Sequence, residues 1–310
     1  MADCILALDF GGTKLSAAVL PVSELAAGQP AWLAHERLFS PKDGNAQFDI
    51  ETMIALGKRL LAGKRPLAVG VSFGGPVDYQ SGIVRLSHHV PGWENVPLQK
   101  LLAAEFSAPV RVDNDANVAA LGEWRFGAGS GFDSLFYVTV STGVGGGWVL
   151  NGRCWRGHEG MAGEIGHTVV EPDGPLCLCG KQGCVERLAS GPYMAHDFMA
   201  LSGDLDAGIT GKEVAELAAR GDEVAQTVLL RGARALGVGL GNTANLINPQ
   251  RFILGGGVTK SGELWWQAVR QSAEQVALPE IHFEIVPAVF ADDAPLWGAV
   301  ALVAGMNYEL

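Results

Sequence analysis

The segment His167–Glu186, HTVVEPDGPLCLCGKQGCVE, carries one histidine and three cysteines within eighteen positions and ends in a carboxylate. His167, Cys177, Cys179 and Cys184 offer one imidazole and three thiolates, the soft tetrahedral set of a structural zinc site with no position left for water. The cysteines stand in a polar, glycine-bearing loop and not on an apolar face, which favours ligation over four unrelated buried residues. Glu164 lies three residues before His167 and Glu186 two residues after Cys184, so one metal would immobilise two carboxylates. Such a pair has three readings: general acid and base of a hydrolase, a solvated surface, or acceptors for the hydroxyls of a polyhydroxylated substrate. The ligand histidine can also donate from its other ring nitrogen.

Two further stretches bear on the choice. DFGGTK (Asp9–Lys14) and VSTGVGGG (Val140–Gly147) combine glycine turns with Thr13, Lys14, Ser141 and Thr142, so backbone N–H groups and hydroxyls are available to phosphate oxygens. Any one glycine turn is ordinary in a chain with 42 glycines, and only the set points to a ligand. Neither GxGxxG nor GxxxxGK[ST] occurs, which sets aside a dinucleotide fold and a P-loop enzyme. In VDNDANVAAL, Asn114 and Asp115 follow a short strand and precede an apolar helix, where either is a normal cap. Facing a phosphate site, Asp115 has a second use, as acceptor of the proton of an attacking hydroxyl. Paired acceptors beside a base and a phosphate site suit a polyhydroxylated substrate best.

The elements that must hold these residues repeat. CILALDFGGTKLSAAVL reads as strand, glycine turn and strand, and LFYVTVSTGVGGGWVL repeats that grammar. RFILGGGV is a third strand with a glycine turn, before a helix predicted over Ser261–Gln275. Apolar spacing of three and four predicts helices over Phe48–Leu61, Asn117–Phe126, Glu213–Ala219 and Ala225–Leu246. The alternation of helix and strand argues for α/β layers, and the two similar openings for two related domains, closely hinged. A chain of 310 residues is long enough for both.

Bulk composition narrows the function. Residues are 48% hydrophobic and 18% charged, with 22 basic and 33 acidic side chains and a net charge of -11, which describes a globular chain without a basic tract for nucleic acid or an anionic membrane. Asp9 interrupts the first apolar run, which argues against a signal peptide, and the apolar stretch Ala294–Met306 is short for a bilayer. Five cysteines, three of them clustered, fit ligation in a reducing, cytoplasmic setting.

In this order, DFGGTK, FGGPVD (Phe73–Asp78), DNDAN (Asp113–Asn117), STGVGGG, GEIGH (Gly163–His167), CLCGKQGCVE and LGGGV (Leu254–Val258) resemble the motifs of the ROK sugar kinases over nearly the whole chain. The resemblance implies an α/β, two-domain actin-like ATPase, or ribonuclease H-like, fold with a structural zinc loop. It places a smaller domain at 1–115 plus 295–310 and a larger one at 116–294. It implies ATP-dependent phosphorylation of a hexose, glucose first, at the 6-hydroxyl, with N-acetylmannosamine, N-acetylglucosamine or fructose as alternatives. Asp115 would be the base; Gly75, His89, Asn114, Glu164, His167 and Glu186 would touch the sugar. Gly11, Gly12, Thr13, Lys14, Thr142, Gly143 and Gly256 would touch nucleotide, with Asp9 near an ATP-borne Mg²⁺. In the glucokinases an asparagine generally stands where this chain has His89, a change that reshapes the pocket around one hydroxyl. A homodimer or homotetramer is also implied. The family includes transcriptional regulators with a winged helix-turn-helix ahead of the first strand; here that strand begins at Cys4 or Ile5, so a regulator would lack its DNA-binding domain. A non-catalytic zinc-stabilised scaffold, in which Asp115 and the phosphate turns have no role, completes the alternatives.

Overall fold

A computed structural model describes residues 3–26, 30–41, 43–87, 89–205 and 208–304. The chain divides into two compact units, one of residues 1–130, 156–162 and 292–310, the other of residues 131–155 and 163–291.

The first unit holds β1 (Cys4–Phe10), β2 (Lys14–Pro21), β3 (Ala34–Phe39), α1 (Ala46–Leu61), β4 (Ala68–Phe73), β5 (Val77–Asp78), β6 (Ile83–Val84), α2 (Leu98–Phe106), β7 (Val110–Asn114) and α3 (Asp115–Phe126). The second holds β8 (Ser134–Val140), β9 (Val144–Leu150), β10 (Arg153–Trp155), α4 (Val185–Ala189), α5 (Gly191–Ser202), α6 (Gly211–Ala219), α7 (Glu223–Ile247), β11 (Arg251–Gly255), α8 (Glu263–Val276) and β12 (Glu284–Pro287). The chain then returns to the first unit in α9 (Ala294–Val303).

Each unit is built on a five-stranded sheet of the same order, β3-β2-β1-β4-β7 in one and β10-β9-β8-β11-β12 in the other. In both, the first three strands are antiparallel and the last two join in parallel. The repeated strand–glycine–strand grammar is thus a repeated topology. Parallel strands covered on both faces read as continuous apolar runs, and β1 and β4 are of that kind, with only Asp9 of their residues partly exposed.

Alternation along β4 divides the faces of the first sheet. Val69 and Val71 join Leu6, Leu8, Met53 and Leu56 in the core under α1, whereas Gly70 lies under α9, where a Cβ would stand 1.8 Å from the Ala299 carbonyl oxygen. The other side of α9 meets α3 as closely: a Cβ on Gly298 would stand 1.7 Å from the Val118 carbonyl oxygen. This contact ties α3 to α9 within the first unit. Replacing Gly298 by alanine should therefore cost roughly 2 to 3 kcal/mol by forcing α3 and α9 apart, read as a lower urea midpoint at unchanged slope; an unchanged midpoint would contradict this packing.

Candidate functional site

In the first unit, strand register gathers the polar residues at one end of the sheet. Asp9 pairs with Ser72, and Ser72 with Asp113, so the three stand in one row across β1, β4 and β7. Burial pushes the Asp9 carboxyl up to about 7; the charges of Asp115 and Asp293 act in the same sense, while the Ser72 hydroxyl and Arg37 oppose them. Arg37 in turn donates to Asp293 Oδ1 (2.6 Å) and to Ser16 Oγ (3.1 Å).

The next residues make the strand-to-helix junction. Asn114 caps α3, its side-chain oxygen accepting from the backbone N–H groups of Ala116 (3.0 Å) and Asn117 (3.4 Å). Its amide nitrogen donates to the Gly75 carbonyl (3.2 Å) and to Asp115 Oδ1 (3.0 Å), which also accepts from Ala116 N–H (2.8 Å). Asp115, the first residue of α3, thus sits where the helix dipole favours a carboxylate. Beneath it, buried Asp113 accepts from Arg156 Nε at 2.7 Å. The Arg156 guanidinium also lies 3.5 Å from the centre of the Tyr79 ring. Burial raises the Asp113 carboxyl and Arg156 opposes that rise.

The turn after β1 is tight, with Gly11 N–H donating to the Lys14 carbonyl (3.0 Å) and the Thr13 carbonyl accepting from Ser40 N–H (3.1 Å). His89 is exposed at its edge and packs its ring against Gly12, 3.0–3.1 Å from where a Cβ would be. Lys14 Nζ stands 3.9 Å from Asp292.

In the second unit the other predicted residues gather around β8 and β9. The segment Gly163–His167 lies along β9 so closely that a Cβ on Gly166 would come within 2.1 Å of the Val144 carbonyl oxygen. That fit carries Glu164 and His167 to the turn between β8 and β9. Burial raises the Glu164 carboxyl, with His167 opposing and Glu186 adding to the rise. Glu186 Oε2 accepts from Val144 N–H at 2.9 Å. Gly256, after β11, has φ +90 and lies against the Val140 carbonyl at the start of the same turn.

The side-chain ligand atoms of His167, Cys177 and Cys179 all lie within 4.8 Å of one another. Cys184 Sγ is 3.6 Å from Cys179 Sγ, close to the ~3.7 Å expected of two thiolates tetrahedrally bound at ~2.3 Å from one zinc. His167 Nδ1 is buried without a hydrogen-bond partner. Lys181 Nζ fastens the loop to the His167 carbonyl (2.8 Å).

Sequence reasoning missed a cavity of about 960 Å³ in the second unit, whose lining includes Ser141, Thr142, Gly191, Pro192, Met199 and Gly211. The volume is at the upper end for small-molecule sites. At its edge the first turns of α5 and α6 touch: a Cβ on Gly211 would meet Gly191 Cα at 2.6 Å. Two signals in the sequence mark these helix starts, proline after Gly191 and the capping box from Thr210 to Glu213; neither announces a cavity.

The ROK family model matches residues 5–306. The chain belongs to the ROK family. It is 36% identical to a glucokinase of Halalkalibacterium halodurans over 318 aligned positions, covering 96% of this chain and 93% of that one. It is 33% identical to an N-acetylmannosamine kinase of Escherichia fergusonii, over 97% of this chain and 98% of the relative. Among solved structures, a ROK glucokinase of Streptomyces griseus in complex with glucose and AMPPNP superposes with a TM-score of 0.78 at 34% identity, covering 96% of this chain and 98% of that one. The α/β fold is that of the ROK sugar kinases, and among the described residues no helix is long and apolar enough to cross a membrane.

The high carboxyl of Asp9 has a measurable consequence. Between about pH 4 and about pH 7 the folded chain holds a proton that the unfolded chain has released, so stability falls as pH rises through that range. Asp9→Asn has no charge to bury. Its melting temperature relative to the wild type, in metal-free buffer, should climb from about pH 4 to about pH 8; parallel profiles would contradict the assignment.

Proposed function

We propose that this ROK protein is an ATP-dependent hexose kinase that phosphorylates glucose at the 6-hydroxyl. The observation that carries this reading is the junction of β7 and α3, which holds Asp115 by Asn114 and Ala116 N–H, in the electrostatic reach of Asp9. Similarity to glucokinases over nearly the whole chain supports it. The common strand order of the two units supports placing the fold in the actin-like ATPase class.

In this mechanism Asp115 accepts the proton of the sugar hydroxyl, whose oxygen bonds to the γ-phosphorus as the bond to the β,γ-bridging oxygen breaks and ADP leaves. Phosphoryl transfer depends mainly on positioning and charge neutralisation, so a carboxylate is a sufficient base. Mg²⁺ bound with ATP supplies charge neutralisation, and Asp9 is the residue proposed to lie near it. Glu164, Glu186, Asn114, His167 and the Gly75 backbone orient the sugar, and His89 shapes the edge of its pocket. Gly11, Gly12, Thr13, Lys14, Thr142, Gly143 and Gly256 hold the nucleotide, whose adenosine enters the cavity beside Ser141 and Gly191. The chemistry of the donor set fits a structural zinc held by His167, Cys177, Cys179 and Cys184, of which the first three stand together and Cys184 adjoins Cys179. Burial pushes the Cys184 thiol up to about 12, so metal binding would release a proton.

With ATP and Mg²⁺, glucose should show a higher kcat/KM than mannose, fructose, allose or the N-acetylhexosamines. Preference for an N-acetylated sugar would move the chain to the second kinase class among its relatives. Asp115→Ala should lower kcat by about 10²- to 10⁴-fold with little change in hexose affinity, and near-normal turnover would remove the base. Purified protein should contain about one zinc per chain, and chelation should weaken hexose binding; a zinc-free protein with normal hexose affinity would refute the metal.

A further inference from the structure

Glu186 is tied to the turn between β8 and β9 in a way that a sugar contact does not require. Its Oε2 accepts from Val144 N–H at 2.9 Å. The carboxylate fills the space where a side chain at 143 would begin, since a Cβ on Gly143 would lie 2.7 Å from Oε2. At the other end of the turn, the Ser141 carbonyl accepts from Gly191 N–H (2.8 Å), and Ser141 N–H donates to the Gly143 carbonyl (2.8 Å). Ser190 N–H donates to the Glu186 carbonyl (3.0 Å). The six residues Glu186–Gly191 therefore grip both ends of the turn. One end is held by a charge-assisted hydrogen bond, the stronger kind.

The same turn presents Ser141 and Thr142 to the large cavity. A carboxylate beside groups meant for phosphate is electrostatically unfavourable, because it repels the ligand and occupies one of the turn's N–H donors. Its presence makes sense if the turn does not hold its shape without it. Glycine-rich turns have many conformations to lose on ligand binding, and Glu186 removes some of that cost beforehand.

We infer that Glu186 is a positioning residue for the nucleotide turn Ser141–Val144, as well as a hexose contact, so that one carboxylate serves both substrates. The inference rests on the kinase reading. It differs from an assignment to the sugar alone in requiring that nucleotide affinity depend on Glu186 when no sugar is present.

The test is calorimetric titration of the full chain with AMPPNP and Mg²⁺, without sugar, followed by titration with glucose. Glu186→Gln keeps an oxygen able to accept from Val144 N–H, and should bind nucleotide within about threefold of the wild type while losing glucose affinity. Glu186→Ala loses the anchor and should bind nucleotide about tenfold more weakly, the scale of one hydrogen bond to a charged group. Glu186→Asp keeps the charge but is one methylene shorter than the reach to Val144 N–H, and should weaken nucleotide binding to a similar degree; it decides the matter if the Glu186→Ala chain does not fold. Wild-type nucleotide affinity in Glu186→Ala or in Glu186→Asp would overturn the inference and leave the kinase reading standing. A wild-type chain that binds no nucleotide would overturn both.

Discussion

Three parallel strands ending in one row constrain the rest of the first unit. Because β1, β4 and β7 pair in register, Asp9, Ser72 and Asp113 lie side by side, and the residues that follow must turn at the same edge of the sheet. Acidic groups so gathered repel one another, and the surroundings answer in different ways. Asp113 is neutralised by Arg156, Asp115 is held at a helix N-terminus, and Asp9 keeps a raised carboxyl that a cation would lower.

The second unit meets a different constraint, which is room. Its turn, its acidic residues and its cysteine loop are brought together by backbones in direct contact, at Gly163, Gly166 and the Gly191–Gly211 pair. Side chains at these points would separate β9 from the segment carrying Glu164 and His167, or α5 from α6. The cysteine loop stands at the end of this chain of contacts. Cys184 opens α4, and Glu186 follows within its first turn, so whatever orders the loop also orders the carboxylate.

The legible parts of the sequence were those with a local cause. Apolar runs interrupted by glycine marked β1–β2 and β8–β9, periodic spacing marked α1, α3, α6 and α7, and the strand-and-glycine unit at β11 marked the α8 that follows it, with ends shifted by up to about two residues, as frayed termini allow. The cysteine spacing and the Asn114–Asp115 junction were equally local. What could not be read depends on residues distant in sequence. The Asp113–Arg156 pair joins positions 43 apart, and the membership of α3 in the first unit rests on Gly298. The cavity was not read because its lining joins residues from 141 to 262: Ser141 and Thr142 were marked, but Met199 and Gly211, which line it from α5 and α6, carry no chemical signature of a ligand. The contact between Glu186 and Val144 was missed because a motif names a residue but not each of its oxygens.

The most direct measurement is a crystal structure of the chain with glucose, AMPPNP and Mg²⁺ bound together. A carboxylate oxygen of Asp115 should then lie within hydrogen-bond reach of the sugar 6-hydroxyl, about 3 Å, with that hydroxyl facing the γ-phosphoryl group. An Asp115 turned away from the sugar, or a different side chain in contact with that hydroxyl, would contradict it.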